Sequence, residues 1–544
     1  MVFSPFVPKL KPFLARNLRF FPGLAYVATV AAFLFICSHF YLPGKGFTYL
    51  IEFGEREEAH YLPELRAINH YSLPDSNGYD GQAYAQIAMR PHLGDPVLQE
   101  AIGNVSYRGR RILFSWTAWL LAGGNPARAL HIFSVQNILA WLLLAGLLLR
   151  WFPPVNWNNW VRWVGVMFSF GLCFSVRGSL LDGPSLVLIA GSMLLLESGR
   201  PWLGAALLGI SGLGRETNIL ALAAIVPEGR TRRAWLVAIG RWALALLPLL
   251  LWTAILSWRF GHGGETGARN FAAPFAGYVG KWAEIGVFAR DKPAWIVWRS
   301  VFIHVGLTAQ WAFFVLRPRW RDRWWRLGAA YAALLVVLGP AVWEGYPGAA
   351  ARVLLPMALA FNILVPRGRS WWILLLLGNL SVFASPDWLR PPGRESFRAE
   401  GPRDLRIVAG SGKTVEALFD EHWRGPEKSW LEYWQWTGGD AAVVFRNPHP
   451  FPVPARISFD LRAKGRRIVT VQTADRTLWM GVVDPGNPRK VRLPEILLPP
   501  GDMPWRFTTD RPPVPPSADD PRALAFSLRN LEIDLAPPAA LPKP

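Results

Sequence analysis

The sequence predicts a polytopic α-helical membrane protein carrying an extracytoplasmic β-sandwich domain at its C-terminal end. Three observations predict it. Hydrophobic residues make up 51% of the 544-residue chain and charged residues 18%, which is poor in charge for a soluble protein. The apolar residues gather into runs of about 20 residues nearly free of charge, the length that crosses a bilayer core as a helix. Past residue 386 the pattern changes to short alternating runs separated by turn residues, as a sandwich requires.

Taken in order, the basic residues Lys9, Lys11, Arg16 and Arg19 precede a first apolar run at 22–42. That run is too long for a signal peptide and no small-residue cleavage site follows it, so a retained anchor is expected. With the N-terminus inside, 43–127 becomes a large outer loop. A span at 130–152 returns to Arg150 and Arg162, a third at 159–176 exits to the turn Arg177–Pro184, and a fourth at 184–197 returns to Arg200. The segment 201–226 is apolar but flanked by basic loops on both sides, with a polar centre at Gly214-Arg215-Glu216-Thr217-Asn218. Two half-helices that rise to the outer face and return satisfy both facts, since polar groups at membrane depth must line protein or a wet cavity. Spans at 234–258, 293–316, 327–343, 350–366 and 371–385 then alternate, near ten spans in all beside the re-entrant pair, and leave the C-terminal region outside. The expected domains are a membrane domain 1–385, a linker 386–424 and a β-sandwich 425–544, with strands at 441–445, 455–461, 468–472, 477–483, 490–493 and 524–535.

The net charge of +20 does not argue for nucleic acid. The arginines collect in alternate short connections, at 230–233, 317–326 and 367–369, which is the positive-inside pattern that sets topology. Cys37 and Cys173 lie inside apolar runs and give neither a disulfide framework nor metal-ligand spacing. Most of the 29 tryptophans belong at membrane interfaces. Trp434 and Trp436 either stack on a sugar or, more simply, pack in the β-domain core. Gly410-Ser-Gly-Lys-Thr414 resembles the end of a phosphate-binding loop, but Ile407 stands where the full pattern needs glycine.

The candidate chemistry lies on the outer face. Asp80, in Gly78-Tyr79-Asp80-Gly81-Gln82-Ala83-Tyr84, is either the cap of the helix that begins near Gln82 or a general base for an attacking hydroxyl. Tyr79, Gln82 and Tyr84 are placed to orient a sugar. Arg110 and Arg111 precede an apolar run and serve either as interfacial anchors or as phosphate ligands. Arg215-Glu216 is either a self-satisfied ion pair or a phosphate-binding arginine oriented by its neighbour. Asp182, Glu344 and Arg352 belong to the same face. His262, Glu265 and His304 are weaker candidates, and a lone His304 reads as a packing residue.

In the order Gly-Tyr-Asp80-Gly-Gln, Arg-Arg111-Ile-Leu, Leu-Asp182-Gly-Pro, Gly-Arg215-Glu216-Thr and Ala-Arg352-Val-Leu-Leu-Pro, these motifs resemble the bacterial integral membrane glycosyltransferases of the GT-C superfold. In outline they are similar to the polyprenyl- or dolichyl-phosphate-mannose-dependent mannosyltransferases. The resemblance covers roughly residues 10–385. It implies a polyprenyl-phosphate-linked sugar donor, a glycan or lipid acceptor, an acidic base mapping onto Asp80, and catalysis at the outer face of the bacterial cytoplasmic membrane. Many relatives carry a second acidic residue in that loop; here Asp75 is nearest, at a different spacing. The β-domain is similar to accessory sandwiches appended to such enzymes. No cofactor is assigned; a divalent metal stays open, with no clear ligand set. Two other classes compete: a transporter or flippase for a lipid-linked glycan, and a non-catalytic assembly subunit.

Overall fold

The computed structural model describes residues 20–42, 45–73, 76–227, 229, 231–261, 268–292, 294–344, 349–391, 397–400, 415–425, 427–428, 433–486, 488–516, 520 and 522–535. The chain divides into two compact units. One comprises residues 1–62 and 70–390, the other residues 63–69 and 391–544.

The first unit is helical. Among the described residues, four helices are long and apolar enough to cross a membrane: Phe21–Ser38, Pro126–Arg150, Arg232–Phe260 and Ala294–Leu316. The first and third turn much of their apolar surface outward; Val27 and Phe35, and Leu236, Leu250 and Leu251, are all more than half exposed. Apolar surface on that scale suits lipid better than water.

Several of the expected spans are interrupted. The run 159–176 is two helices, Trp157–Met167 and Phe170–Arg177. The run 327–343 breaks after Val337 and restarts at Pro340. The run 350–366 breaks at Leu354 and restarts with Pro356 in the first turn of its second helix. A proline supplies no N–H, so it opens helices more readily than it continues them. The run 371–385 begins as the helix Trp372–Gly378 and continues as a 3-10 helix, Leu380–Asp387. Arg162, expected in an inner loop, lies within Trp157–Met167 and is fully buried. Its guanidinium donates to the Asn362 and Pro366 carbonyls at 2.6 and 3.0 Å, closing the end of the helix Leu355–Leu364.

The segment 201–226 forms two arms. The helix Pro201–Gly212 leads to a turn at 213–215, from which the 3-10 helix Glu216–Ile225 runs back. The far ends of both arms, Pro201 and Ile225, wall the same cavity, so the chain does return to the level at which it started. Arg326 fastens the returning arm by donating to the Ala223, Ala224 and Val226 carbonyls at 3.0–3.2 Å. The turn packs tightly: a side chain on Gly214 would meet the Phe114 ring, and Leu113 N donates to Leu213 O at 3.2 Å.

After the first helix a two-residue parallel pair, β1 (Phe53–Gly54) and β2 (Ser72–Leu73), gathers the chain before the helix Gly81–Met89.

The second unit is a two-sheet β structure with strands β3 (Phe397–Glu400), β4 (Glu416–Phe419), β5 (Glu427–Lys428), β6 (Tyr433–Thr437), β7 (Ala441–Asn447), β8 (Val453–Ala463), β9 (Arg467–Gln472), β10 (Thr477–Val483), β11 (Arg489–Arg492), β12 (Ile496–Leu498), β13 (Gly501–Thr509) and β14 (Phe526–Leu535). One sheet runs β10-β9-β13-β7-β4. The other runs β11-β8-β14-β6-β5, with β12 added to β8 and β3 to β14. Strict alternation along β7 and β8 sends Val443, Phe445, Ile457, Phe459 and Leu461 into a common core with Val469, Val471, Trp505 and Phe507. Strands β3 and β4 lie inside the stretch expected as linker, 386–424, and that stretch supplies sheet edges. Trp436 is buried, as core packing requires, and Arg529 lies 4.8 Å over one face of the partly buried Trp434 ring. The Gly410–Thr414 decoy lies outside the described residues.

Candidate functional site

At one end of the helical unit, buried charges from four separate segments meet. Asp182 opens the helix Asp182–Glu197 and is almost fully buried. One carboxylate oxygen is paired with Arg215 at the tip of the two-armed segment, and the other with Arg352 at 3.1 Å. Arg352 also donates to the Tyr79 hydroxyl at 2.8 Å and lies over the Tyr79 and Phe174 rings at 5.4 and 4.9 Å. A second set adjoins it. Arg111 donates from Nε to Glu216 at 2.8 Å and from Nη1 to the Tyr84 hydroxyl at 3.0 Å. Arg111 and Asp182 also lie within electrostatic reach of each other.

The turn carrying Asp182 is itself fixed from below. Asn137 donates to Leu180 O at 2.9 Å, and the Ser175 hydroxyl accepts from Gly183 N at 2.8 Å.

Arg215 and Glu216 do not form the mutual pair that their adjacency suggests. They clasp different partners, Asp182 and Arg111. Three guanidiniums (Arg111, Arg215, Arg352) against two buried carboxylates (Asp182, Glu216) leave one positive charge in excess, balanced only by the exposed Asp80 carboxylate at the edge. The Nε atoms of Arg215 and Arg352 are buried and have no hydrogen-bond partner among the described residues. A buried, incompletely satisfied cation favours an anionic ligand.

Asp80 sits at the edge of this cluster. It occupies the N-cap position of the helix Gly81–Met89 but makes no side-chain capping bond. Its carboxylate is exposed, and its charge is felt by Tyr79, Tyr84 and Arg352. The backbone around it is held by its neighbours. Tyr79 N donates to Glu52 O at 3.0 Å. Gly78 needs its left-handed conformation (φ 72°). A side chain on Gly81 would strike the Gly178 carbonyl, so loop and turn touch backbone to backbone.

The other expected residues divide. Gln82 is occupied by structure: its amide accepts from Gly54 N at 3.1 Å, donates to Asn77 O at 2.9 Å and lies 2.7 Å from the Tyr61 hydroxyl. Tyr84 is buried and orients Arg111, so it presents no ring to a sugar. Tyr79 is half-buried, and its own hydroxyl proton has no acceptor among the described residues. Burial pushes the Tyr79 and Tyr84 phenols up, against the opposing pull of Arg352 and Arg111, and both stay protonated at neutral pH. Arg110 makes no hydrogen bond or ion pair among the described residues; Arg111 is the one that joins the cluster. Glu344 pairs with exposed Arg269 at the surface, not with a member of the cluster. His304 stacks on Tyr278 at 4.8 Å and bonds its carbonyl, as a packing residue does. Asp75, His262 and Glu265 lie outside the described residues.

Sequence reasoning passed over Glu52 and Arg177. Glu52 is buried, in a left-handed conformation (φ 60°, ψ 50°), and pairs with Arg177 at 3.3 Å. Burial pushes its carboxyl up, opposed by Arg177 and then Arg352. Arg177 also donates to Tyr49 O at 2.7 Å and lies 3.7 Å over the Tyr49 ring. A non-glycine residue at positive φ beside a cluster of charges marks a position where the fold tolerates strain. The sequence signal was a lone carboxylate inside the apolar run Tyr49-Leu50-Ile51-Glu52-Phe53.

No protein-family model matches the chain, and no curated protein does. Among solved structures, arabinosyltransferase EmbB from Mycobacterium smegmatis, determined by single-particle cryo-EM, is similar at 11% identity with a TM-score of 0.32. The match covers 97% of this chain and 66% of that chain, so this chain spans just under two thirds of the neighbour's length. A likeness at that level leaves the chemistry to be argued from the residues.

Among the described residues no group of three or more His, Cys, Asp or Glu is placed to hold a metal ion. The cluster sets three guanidiniums beside an exposed Asp80 carboxylate.

Proposed function

We propose that the chain is an inverting glycosyltransferase that moves a sugar from a polyprenyl-phosphate donor to an acceptor hydroxyl at the outer face of the cytoplasmic membrane. One observation carries the reading: Arg215 and Arg352 share Asp182, keep buried Nε atoms without partners, and stand beside an uncapped, exposed Asp80.

In this reading Asp80 accepts the proton of the acceptor hydroxyl as its oxygen bonds to the anomeric carbon. The bond from that carbon to the phosphate oxygen breaks, and its electron pair leaves with the lipid phosphate. The phosphate passes from diester to monoester and gains negative charge. The cluster's excess positive charge is therefore worth more in the transition state than in the ground state, which is what accelerates the chemical step. Tyr79, with a free hydroxyl proton, is suited to a phosphate or sugar oxygen, and Tyr84 and Glu216 hold Arg111 in place. Inversion follows if Asp80 and the phosphate occupy opposite faces of the sugar.

The test is full-length protein in lipid nanodiscs, incubated with a panel of polyprenyl-phosphate sugars, with released lipid phosphate measured. Asp80→Asn is expected to lower release by about 10²–10⁴-fold with membrane insertion and elution profile unchanged. Undiminished transfer by that variant removes Asp80 as the base.

A further inference from the structure

At the opposite end of the two-armed segment lies a cavity of about 510 Å³. It is walled by the ends of the helices Asp182–Glu197, Pro201–Gly212, Glu216–Ile225, Arg232–Phe260 and Arg323–Val337. Its walls are mainly apolar, with three arginines among them: Arg233, Arg241 and Arg323. No Asp or Glu is among its described lining residues. Glu197, next to the lining residue Leu196, is committed to the Trp151 and Trp324 indoles at 3.0 and 2.6 Å.

Arg241 is the unusual member. It stands nine residues into the helix Arg232–Phe260, roughly 13 Å along its axis. Its guanidinium lies 5.4 Å over the Trp202 ring, its Nε is buried, and it makes no hydrogen bond or ion pair among the described residues. A helix side chain leans toward the N-terminal end, so Arg241 reaches back toward the cavity mouth, where exposed Arg233 stands. An unpaired guanidinium that far along an apolar helix is costly unless an anion meets it. Beside the mouth the same helix leaves Leu236 and Ile239 more than half exposed.

We propose that this cavity binds the phosphate headgroup of an anionic glycerophospholipid, with Arg241 and Arg233 as its ligands and the acyl chains lying along Leu236 and Ile239. The volume falls in the range of small-molecule sites, roughly 300–1,000 Å³. Guanidinium forks match phosphate oxygens, and basic pockets between helices at the cytoplasmic end take such headgroups. A zwitterionic lipid brings its own cation toward three arginines and is disfavoured. The inference rests on the bilayer placement used above but not on any catalytic step.

The experiment is native mass spectrometry of the full-length protein after exchange into detergent with phosphatidylglycerol or phosphatidylcholine, together with thermal unfolding in the same lipids or in inorganic phosphate. The wild type is expected to retain phosphatidylglycerol preferentially and to gain thermal stability from it. Arg233→Gln/Arg241→Gln is expected to lose roughly 30-fold in retention while melting as the lipid-free wild type does, with Arg241→Lys recovering part. Equal retention of the two lipids, or retention unchanged in the double variant, overturns the proposal. Stabilisation by inorganic phosphate equal to that by phosphatidylglycerol overturns the lipid assignment in favour of a soluble anion.

Discussion

Asp182 is the residue on which the charge cluster turns. It faces two guanidiniums and is almost completely shielded from water. Removing one member of a buried ionic set strands the others, at about 3–5 kcal/mol. Asp182→Ala is therefore expected to lower the unfolding midpoint sharply. Glu344→Ala, which breaks an exposed pair with Arg269, should cost no more than about 1 kcal/mol. Thermal or denaturant unfolding in detergent compares the two, and equal losses would contradict the cluster as described. The identities of Asp182, Arg215, Glu216 and Arg352 were legible in the sequence because ionised groups among apolar runs stand out. Their pairing was not: partners lie 33 to 170 positions apart along the chain, and only packing brings them together. Local adjacency misled at Arg215-Glu216 for that reason. It misled at Gln82 too, where a loop amide facing a carboxylate looked like a sugar contact but is spent on Gly54 and Asn77.

Between residues and fold, the decisive contact is backbone against backbone. Gly81 opens the helix Gly81–Met89 directly after Asp80 and abuts the Gly178 carbonyl. A methyl group there must push the Asp80 loop away from the turn that carries Asp182, because a carbonyl cannot rotate aside as a side chain does. Gly81→Ala should therefore reduce sugar transfer by about 10²-fold, the loss expected from a displacement near 1 Å, while the helices remain inserted. Unchanged turnover would show that the loop and the turn move independently. Among the elements, the two-armed segment was readable because basic flanks and a polar centre cannot both be satisfied by one crossing. The breaks at Ser169, Leu338 and Leu354 were not, since hydropathy sums over a window and does not register a change of helix axis. In the β unit six strands followed from alternation. Strand β13 escaped because Pro504 argues against a strand; at Pro504 the strand pairs with β7, while pairing with β9 begins only at Arg506.

For the molecule as a whole, the cluster at Asp182 and the cavity at Arg233 and Arg241 belong to opposite ends of the helical unit, and the topology proposed from the positive-inside pattern has the first outside and the second inside. With Cys37 and Cys173, both buried, replaced by Ala, single cysteines at Glu344 and Glu421 should react with an impermeant maleimide in intact spheroplasts. One at Arg200 should react only after permeabilisation. The reverse pattern would invert the topology and move the proposed chemistry to the wrong side. The same placement bears on how the site comes into being. Neighbouring residues at the tip of the two-armed segment clasp Asp182 on one side and Arg111 on the other. Withdrawing the tip would open both clasps together, and an arrangement keeping just one would leave unpaired charge out of water. The charge cluster is thus a latch with two positions, closed or open, and the seating of a short, irregular hairpin decides which.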